Sequence, residues 1–544
     1  MIFGYILMVL RIVIPAVCVF LTVSLFRTLL RRRRLPVIAS LAMIDTPAEY
    51  DIVSCENFIG RSKISDIRLN FGSVSRRAAL LTYSDEDGFK LTALSNQEIL
   101  VNDIPVDGWA YIDDGDIISV GGIKLKFFVS DIDDLVEEAS PKLEKRAIKQ
   151  AVLLTIFQVL CLCELAVDLR SELYIAVPIA FVLLVAAEWT VFLISGFKGN
   201  IQIEMIGFFL TTFGIMVCSS ASPKSVLKLI ICAIIGIIGY FAANFVLKRP
   251  QLVTKLQYVA MICAGVLFLY NIIFGEYING ARNWISIGSF SFQPSELIKF
   301  VLIFAGGATL LQMISTKRLL LYIGFAFCCI GALFLMRDFG TASIYFVTML
   351  IIIYMRQGNI VPILAILGVA AVGVVVIIGL MPYVLNRFSA YRHVWELASD
   401  RGYQQTRTLI AIASGGLFGM GAGNGNLSVV AASDTDLVFG FVCEEWGMIT
   451  AFCAISCFVL LALYAFKRTS CTSSAYYAIV SCAAAGMFLF QISLNIFGST
   501  DVLPLTGVTI PFVSNGGSSM IASWLMLSFI KAAGRQFVPA VARE

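Results

Sequence analysis

The feature that most constrains this fold is a series of apolar runs that recurs along most of the chain. A run of about 20 apolar residues crosses the hydrocarbon core of a bilayer as an α-helix. Hydrophobic residues make up 59% of the 544 residues and charged residues only 14%, against about 45–50% and about 25% in soluble domains. The sequence therefore predicts a polytopic α-helical membrane protein with about thirteen transmembrane helices.

The positions of basic residues predict how these helices are oriented. Arg31–Arg34 and the later basic turns, such as "LKRPQLVTK" and "FKRTS", fall on one side of the predicted membrane. That side is cytoplasmic by the positive-inside rule, which places the N-terminus outside and the C-terminus inside. Spans are predicted at 5–29, 148–167, 172–195, 202–219, 225–246, 256–275, 295–313, 318–336, 340–356, 361–380, 437–466, 474–498 and 512–533.

One stretch near the N-terminus is polar instead. Short β-like runs such as "EILV" and "IKLKFFV" alternate there with Gly, Asn and Asp, which indicates a small cytoplasmic all-β sandwich. The predicted organisation is a transmembrane anchor over 1–35, the sandwich over 45–130, a linker over 131–147, two accessory helices over 148–199, and a ten-helix core over 200–535 whose large outer loop spans 381–436.

The outer loops hold the unusual chemistry. Their dense Gly and Ser residues allow main-chain N–H groups to approach a ligand closely, and such groups attract phosphates. Guanidinium groups could add support for a pyrophosphate at Arg282, Arg401 and Arg407. Acidic residues at membrane depth are costly and are therefore functional candidates: Glu296, Asp338, Asp436, Glu444 and Glu445.

Structural alternatives stay open for several of these residues. Glu296 and Lys299 lie three apart on one helix face and also fit an internal ion pair. Asp338 also fits a cap for a helix that begins near Gly340. His393 is the sole histidine, and most of the 14 cysteines lie in apolar spans, where they read as small buried hydrophobes. These features argue against imidazole catalysis and a dedicated metal site.

Residues from about 200 to 535 resemble the SEDS family (shape, elongation, division and sporulation), the RodA/FtsW-type peptidoglycan glycosyltransferases of bacteria. The matching segments, in the family's order, are "GARNWI", "QPSELIK", "DFGTA", "GYQ", "SGGLFGMGAGNG", "TDLVF", "EEWG" and "LPLTGVTIPFVSNGGSS". No single segment is decisive, but together they are highly specific.

The resemblance implies that lipid II units are joined into glycan strands at the outer face of the bacterial cytoplasmic membrane, with undecaprenyl pyrophosphate as the leaving group. It implies a class B penicillin-binding protein as partner, and it leaves open a divalent cation that accompanies the pyrophosphate. Nucleic acid is not an expected partner. The residues carried over as substrate-binding are Arg282, Trp284, Glu296, Lys299, Asp338, Tyr403, Gln404, Asp436, Asn515 and Ser518.

The catalytic carboxylate is where this chain departs from the family pattern. The family places an essential Asp shortly before Gly-Tyr-Gln, commonly as Asp-Pro-x-Gly-x-Gly-Tyr-Gln. Aligned without gaps, Leu397 falls in that position, whereas a shortened loop gives the role to Asp400, and Glu396 is a second candidate. Two further departures are Arg337, where Pro is usual, and Asp434, where His is frequent.

The polar segment is similar to a forkhead-associated (FHA) domain, an eleven-stranded sandwich that reads phosphothreonine. The resemblance assigns phosphopeptide binding to Arg61, Ser75, Arg76 and Asn96, because Arg and Ser donate to phosphate oxygens and Asn holds the peptide backbone. Ala78 replaces the family's His, and Gln97 replaces its usual Gly. A module that docks a partner without reading phosphate is the alternative.

Three functions follow as hypotheses. The first is a glycosyltransferase regulated through a phosphothreonine protein or a Ser/Thr kinase. The second is a catalytically inactive SEDS scaffold in cell division or sporulation. The third is a flippase for the lipid-linked substrate, which would share the cavity and the Gly-rich loops but need no outer carboxylate base.

Overall fold

The computed structural model describes most of the chain: residues 2–30, 37–53, 56–62, 65–84, 88–95, 97–130, 141–168, 175–196, 201–278, 281–287, 290–308, 316–380, 391–469 and 475–534. Several predicted features lie wholly or partly outside these residues: the basic flank Arg31–Arg34, Asn96, the linker over 131–147 up to residue 140, the loop from 381 to 390, and one end each of the predicted spans 172–195, 295–313 and 474–498.

Two compact units make up the chain. The first comprises Met1–Leu30, Pro141–Phe466 and Ile479–Ala532 and is helical. The second is centred on Arg31–Ser140 and holds a β-sandwich.

The helical unit contains fifteen α-helices among the described residues, and they follow the apolar runs of the sequence. Their bounds are α1 Ile2–Leu29, α2 Pro141–Asp168, α3 Ala176–Ile194, α4 Gln202–Ala221, α5 Val226–Leu247, α6 Pro250–Phe274, α7 Pro294–Ala308, α8 Thr316–Leu335, α9 Phe339–Gln357, α10 Val361–Leu380, α11 Tyr403–Gly415, α12 Val438–Trp446, α13 Met448–Arg468, α14 Ala475–Ser499 and α15 Gly517–Ala533.

An apolar helix occupies each of the thirteen predicted spans. Ten of the described helices are long and apolar enough to cross a membrane. Helix α4 is the most enclosed of the ten, since 94% of the residues in its apolar stretch are buried, whereas only 22% of those in α6 are buried. A central α4 surrounded by more exposed helices confirms the predicted polytopic helical fold.

Two span boundaries were predicted wrongly. Residues 437–466 are not one helix, because the chain breaks at Gly447 between α12 and α13. Gly447 has a φ of 85°, which favours glycine, and a Cβ there would meet the carbonyl oxygen of Leu417. The segment 512–533 becomes helical only at Gly517, and the residues from 512 to 516 form turns and irregular chain.

A small antiparallel sheet that the sequence analysis did not predict follows α6. Its strands are β12 Glu276–Ile278, β13 Ala281–Ile287 and β14 Phe290–Phe292, in the order β12–β13–β14. The backbone N–H of Arg282 donates to the carbonyl of Met336 at 2.9 Å, which ties β13 to the chain just before α9. The sheet thereby fixes the approach to α7, which begins at Pro294.

The second unit is a two-sheet sandwich, as predicted. Its eleven strands are β1 Ala39–Met43, β2 Glu49–Ile52, β3 Glu56–Gly60, β4 Ile67–Arg68, β5 Ala79–Ser84, β6 Gly88–Ala93, β7 Ile99–Val101, β8 Ile104–Pro105, β9 Trp109–Ile112, β10 Ile117–Val120 and β11 Ile123–Val129. One sheet has the order β2-β1-β11-β10-β7-β8 and the other β4-β3-β5-β6-β9. Phe89 and Phe127, one from each sheet, meet edge to face in the core at 4.8 Å.

Candidate active site

A cavity of about 590 Å³ opens in the helical unit where loops that the sequence predicts to be outside converge. Its wall is built by β13, the starts of α7, α9, α11 and α15, and the segments that precede α12 and α15. Seven of the residues predicted to bind substrate line it: Trp284, Glu296, Asp338, Gln404, Asp436, Asn515 and Ser518. Two of the arginines that the sequence analysis singled out also line it: Arg337 and Arg401.

Asp338 is both a helix cap and a cavity residue. Its Oδ1 accepts from the backbone N–H of Thr341 at 3.0 Å, which caps α9 as the structural alternative expected. Its Oδ2 accepts from Asn283 at 2.7 Å, and the amide of Gln293 lies 3.5 Å away. The carboxylate is therefore fixed in position by donors from three segments of chain.

Arg337, directly before the cap, has a left-handed backbone with a φ of 61°. That conformation is uncommon for a residue with a side chain and carries strain. Proline, the usual family residue here, has a φ fixed near −65° and could not adopt it. The local backbone of this chain therefore differs from one that carries Pro, and the change adds a guanidinium to the cavity.

Glu296 and Lys299 form the internal ion pair that was the alternative to two separate ligands. Their side chains meet at 2.6 Å and are only 8% and 3% exposed. Glu296 lines the cavity, whereas Lys299 lies behind the wall and also donates to Gln491 Oε1 at 3.2 Å. A buried pair is held well only when further hydrogen bonds satisfy its atoms, and Gln491 supplies one.

Gln491 continues this network to the loop before α15. Its amide nitrogen donates to the carbonyl of Thr509 at 2.8 Å. The Thr509 hydroxyl lies 3.1 Å from that of Ser519, and both residues line the cavity. Sequence reasoning missed Gln491, because a single amide inside an apolar helix gives no signal of what it faces.

The side chains of Asp400 and Glu396, the predicted catalytic carboxylates, lie outside the cavity lining and are 78% and 76% exposed. Glu396 lies 3.2 Å from His393, and Asp400 lies 3.9 Å from the guanidinium of Arg401. Arg401 does reach the cavity, so Asp400 stands directly beside a residue of the cavity wall.

Two other predicted ligands also lie outside the cavity lining. Arg282 donates to the carbonyls of Gly275 and Ile273 at 2.8 Å each, which caps the end of α6. Tyr403 packs beneath the guanidinium of Arg407, 5.2 Å from the ring centre. Both side chains support the elements that form the wall.

Asp434, where the family often has His, anchors one predicted ligand. Its Oδ2 accepts from Asn515 at 2.8 Å and from Ser222 at 2.9 Å. Asn515 also donates its backbone N–H to the carbonyl of Asp434 at 2.8 Å. The departure from the family pattern therefore keeps a polar partner that orients Asn515 at the cavity.

The acidic pair Glu444 and Glu445 is buried in α12 and does not line the cavity. Glu444 accepts the backbone N–H groups of Asn426 and Leu427 at 2.9 Å each, so it orders the Gly-rich loop. Among the described residues, no group of three or more His, Cys, Asp or Glu side chains is arranged to hold a metal ion.

Three of the predicted phosphopeptide residues, Arg61, Ser75 and Arg76, come together between two loops of the sandwich. The backbone N–H of Arg61 donates to the carbonyl of Ser75 at 2.9 Å, and that of Ser62 to the carbonyl of Arg76 at 3.1 Å. The side chains of Arg61 and Arg76 are exposed. Gln97, in place of the family's Gly, accepts from the backbone N–H of Ser75 at 2.7 Å and so orders this loop.

Comparison with known proteins agrees with both resemblances. Residues 204–536 match the family model for FtsW, RodA and SpoVE, described as cell cycle protein, and residues 57–121 match that of the FHA domain. The chain is 32% identical over 272 residues to the "Probable peptidoglycan glycosyltransferase FtsW" of Coxiella burnetii, which covers 47% of this chain and 72% of the relative. It is 29% identical over 257 residues to the "Stage V sporulation protein E" of Bacillus subtilis, covering 45% and 69%.

Among solved structures, one chain of a peptidoglycan synthase complex has the same fold as the helical unit. The match has a TM-score of 0.52 at 23% identity and covers 62% of this chain and 98% of the other. The family model spans more than half of the 544 residues. The chain is therefore a multi-pass membrane protein of the FtsW/RodA/SpoVE family that also carries an FHA domain.

Proposed function

We propose that this chain is a lipid II-dependent peptidoglycan glycosyltransferase that polymerises glycan strands at the outer face of the bacterial cytoplasmic membrane. The observation that carries the proposal is the cavity, which combines fixed carboxylates with two guanidiniums where the outer loops meet. A lipid-linked donor needs such a combination, because its pyrophosphate requires cationic support and its sugars require hydrogen-bonding groups.

The position of the cavity along the helices supports the orientation. Asp338 and Phe339 of the cavity lie at the start of α9, and Arg356 lies in its last turn. Basic residues also end α13 and α15, whereas the cavity is formed by the chain that precedes α12 and α15. By the positive-inside rule the cavity then opens outward, with the FHA domain and the C-terminus in the cytoplasm and the N-terminus outside.

In the proposed reaction, the 4-hydroxyl of the acceptor sugar attacks the anomeric carbon of the donor with inversion. The bond from that carbon to the pyrophosphate breaks, and undecaprenyl pyrophosphate leaves. Arg337 and Arg401, both in the cavity wall, stabilise the charge that develops on the leaving group. Asp338, Gln404 and Asn515 orient the sugars by hydrogen bonds.

The hydroxyl proton goes to a carboxylate base, which we assign to Asp400, with Glu396 as the alternative. Asp400 stands in the exposed segment beside Arg401, where an acceptor arriving from outside can meet it. A class B penicillin-binding protein is the proposed partner, and a divalent cation with the pyrophosphate stays a prediction. The FHA domain would couple the enzyme to a phosphothreonine protein through Arg61, Ser75 and Arg76.

An inactive scaffold is the second candidate, because Leu397 occupies the ungapped position of the family Asp and both nearby carboxylates are exposed. The deciding experiment supplies fluorescent lipid II to the purified full chain with a class B penicillin-binding protein. Glycan polymers that a muramidase digests are expected. Transport of lipid II across a liposome membrane without polymer would indicate a flippase instead. If neither polymer nor transport is detected, the inactive scaffold is favoured.

A further inference from the structure

The two accessory helices, α2 and α3, precede the segment that matches the family and pack against its first helix, α4. Three polar side chains meet in this contact: Gln158 from α2, Glu188 from α3 and Thr212 from α4. All three are fully buried. Polar side chains inside a membrane protein are rare and mark functional positions more often than chance would give.

The hydrogen bonds of this group are incomplete. The Gln158 amide nitrogen donates to Glu188 Oε2 at 2.8 Å and lies 3.3 Å from the hydroxyl of Thr212. That hydroxyl donates to the carbonyl of Phe208 at 2.9 Å, so it is available to the group only as an acceptor. Within the described part of the chain, Glu188 Oε1 and Gln158 Oε1 have no hydrogen-bond partner. Acceptor oxygens therefore outnumber donors.

Among the described residues, Glu188 also lacks a counter-charge. No ion pair among the described residues includes it. Several charged residues of the neighbouring helices contact other groups, and Arg11 of α1 lies against Gly421. Glu164 of α2 lies near Cys161 and Glu445, Glu204 of α4 binds Tyr240 and Lys531, and Lys228 of α5 lies near Cys232.

An ionised carboxylate buried without a positive partner is strongly disfavoured. One small cation would both bind the unpartnered acceptor oxygens and neutralise the charge of the carboxylate. A proton on Glu188 Oε1 would donate to Gln158 Oε1 and close a two-point pair between an acid and an amide. A sodium ion would instead take oxygen ligands from the carboxylate, the amide and the hydroxyl.

We propose that Glu188, Gln158 and Thr212 form a buried binding site for one monovalent cation, H⁺ or Na⁺. A divalent ion fits less well, because a single carboxylate with neutral ligands would leave a net positive charge in the membrane. The occupied site joins all three helices, so it fastens the accessory pair to the family core. This assignment is independent of the proposed glycosyltransferase activity.

The test uses the purified full chain in sodium-free buffer. Dicyclohexylcarbodiimide modifies protonated carboxyl groups in membranes, and we expect mass spectrometry to find the adduct on Glu188. Infrared difference spectra of wild type against Glu188→Gln should show one protonated carboxyl band that the variant lacks. Added sodium should abolish the adduct and the band if Na⁺ binds, and should leave both unchanged if the site takes only H⁺.

Glu188→Gln is the matched variant, since it keeps the shape and removes the need for a cation. Its melting temperature should equal that of wild type, whereas Gln158→Leu, which removes a ligand, should melt lower. The proposal is overturned if sodium-free wild type gives neither the adduct nor the band, which would mean that Glu188 is ionised. If packing keeps the carbodiimide from reaching Glu188, the infrared band alone reports whether Glu188 is protonated.

Discussion

The carboxylates of the cavity wall are held by hydrogen bonds or an ion pair, whereas those of the neighbouring segment 391–402 are exposed. In the wall, Asp338 is held by three donor groups, and Glu296 is locked to Lys299 at 2.6 Å with almost no exposure. In the outer segment, Glu396 and Asp400 are more than three-quarters exposed. In the proposed function, the wall is therefore preorganised for binding, and the exposed carboxylates are the groups that can meet a hydroxyl.

The largest expected effect separates the two exposed carboxylates. Asp400→Ala should lower lipid II polymerisation by about 10²–10⁴-fold, because it removes the general base. Glu396→Gln, in the same segment and equally exposed, should keep the wild-type rate. Initial rates with fluorescent lipid II measure both. The opposite pattern would move the base to Glu396, and two active variants would remove the segment from the chemistry.

The second effect concerns the wall itself. Lys299→Leu leaves Glu296 as an uncompensated buried charge and should destabilise the protein by about 3–5 kcal/mol. The double variant Glu296→Leu/Lys299→Leu should be more stable than the single variant, since no charge is left unpaired. Unfolding in detergent compares them. If the single variant were as stable as wild type, the wall would not depend on this pair.

A smaller effect is expected at Gln491, which links the pair to the loop before α15. Gln491→Leu leaves two buried partners without this hydrogen bond and should lower the free energy of unfolding by about 1–3 kcal/mol. It should also raise the KM for lipid II, with a smaller change in kcat. Ser493→Ala is the control, because this hydroxyl donates within its own helix, to the carbonyl of Leu489 at 2.8 Å. Equal kinetics in the two variants would contradict a positioning role for Gln491.

The smallest effect on polymerisation is expected in the FHA domain. Arg61→Ala should leave the rate of the purified enzyme unchanged and weaken binding of a phosphothreonine peptide by about 10- to 100-fold. Arg68→Ala, an exposed arginine of β4 that lies 3.5 Å from Asn70, is the control and should bind normally. Calorimetry measures both. Equal affinities would favour a module that docks partners without reading phosphate.

The sequence predicted the helices and the sandwich well, because run length and alternation are local signals. It did not predict the sheet around β13 or the break at Gly447, since both depend on contacts with distant carbonyls. Of the motif residues that the sequence proposed, Asp338 and Asn515 are among those that line the cavity. Gln491 was not predicted, because its role exists only once α7, α14 and the loop before α15 are packed together.

Asp400 and Glu396 show that a motif predicts the position of a residue along the chain but not the direction of its side chain. The family pattern placed a carboxylate near Gly402 but could not say which way its side chain turns. Gly402 packs so closely on Val394 that a Cβ would overlap the Val394 backbone, which folds the segment into a compact turn. That turn directs Arg401 to the cavity wall and leaves Asp400 exposed.

The proposed function requires that the lipid-linked donor occupies the cavity, and site-specific crosslinking tests this directly. A photoreactive p-benzoylphenylalanine replaces Ala431, an exposed residue of the cavity wall, or Val266, which is 61% exposed on α6 away from it. We predict that lipid II crosslinks at position 431 and not at 266, and that undecaprenyl pyrophosphate competes for the site. Equal crosslinking at both positions, or none at 431 alongside active polymerisation, would show that the donor does not bind in the cavity.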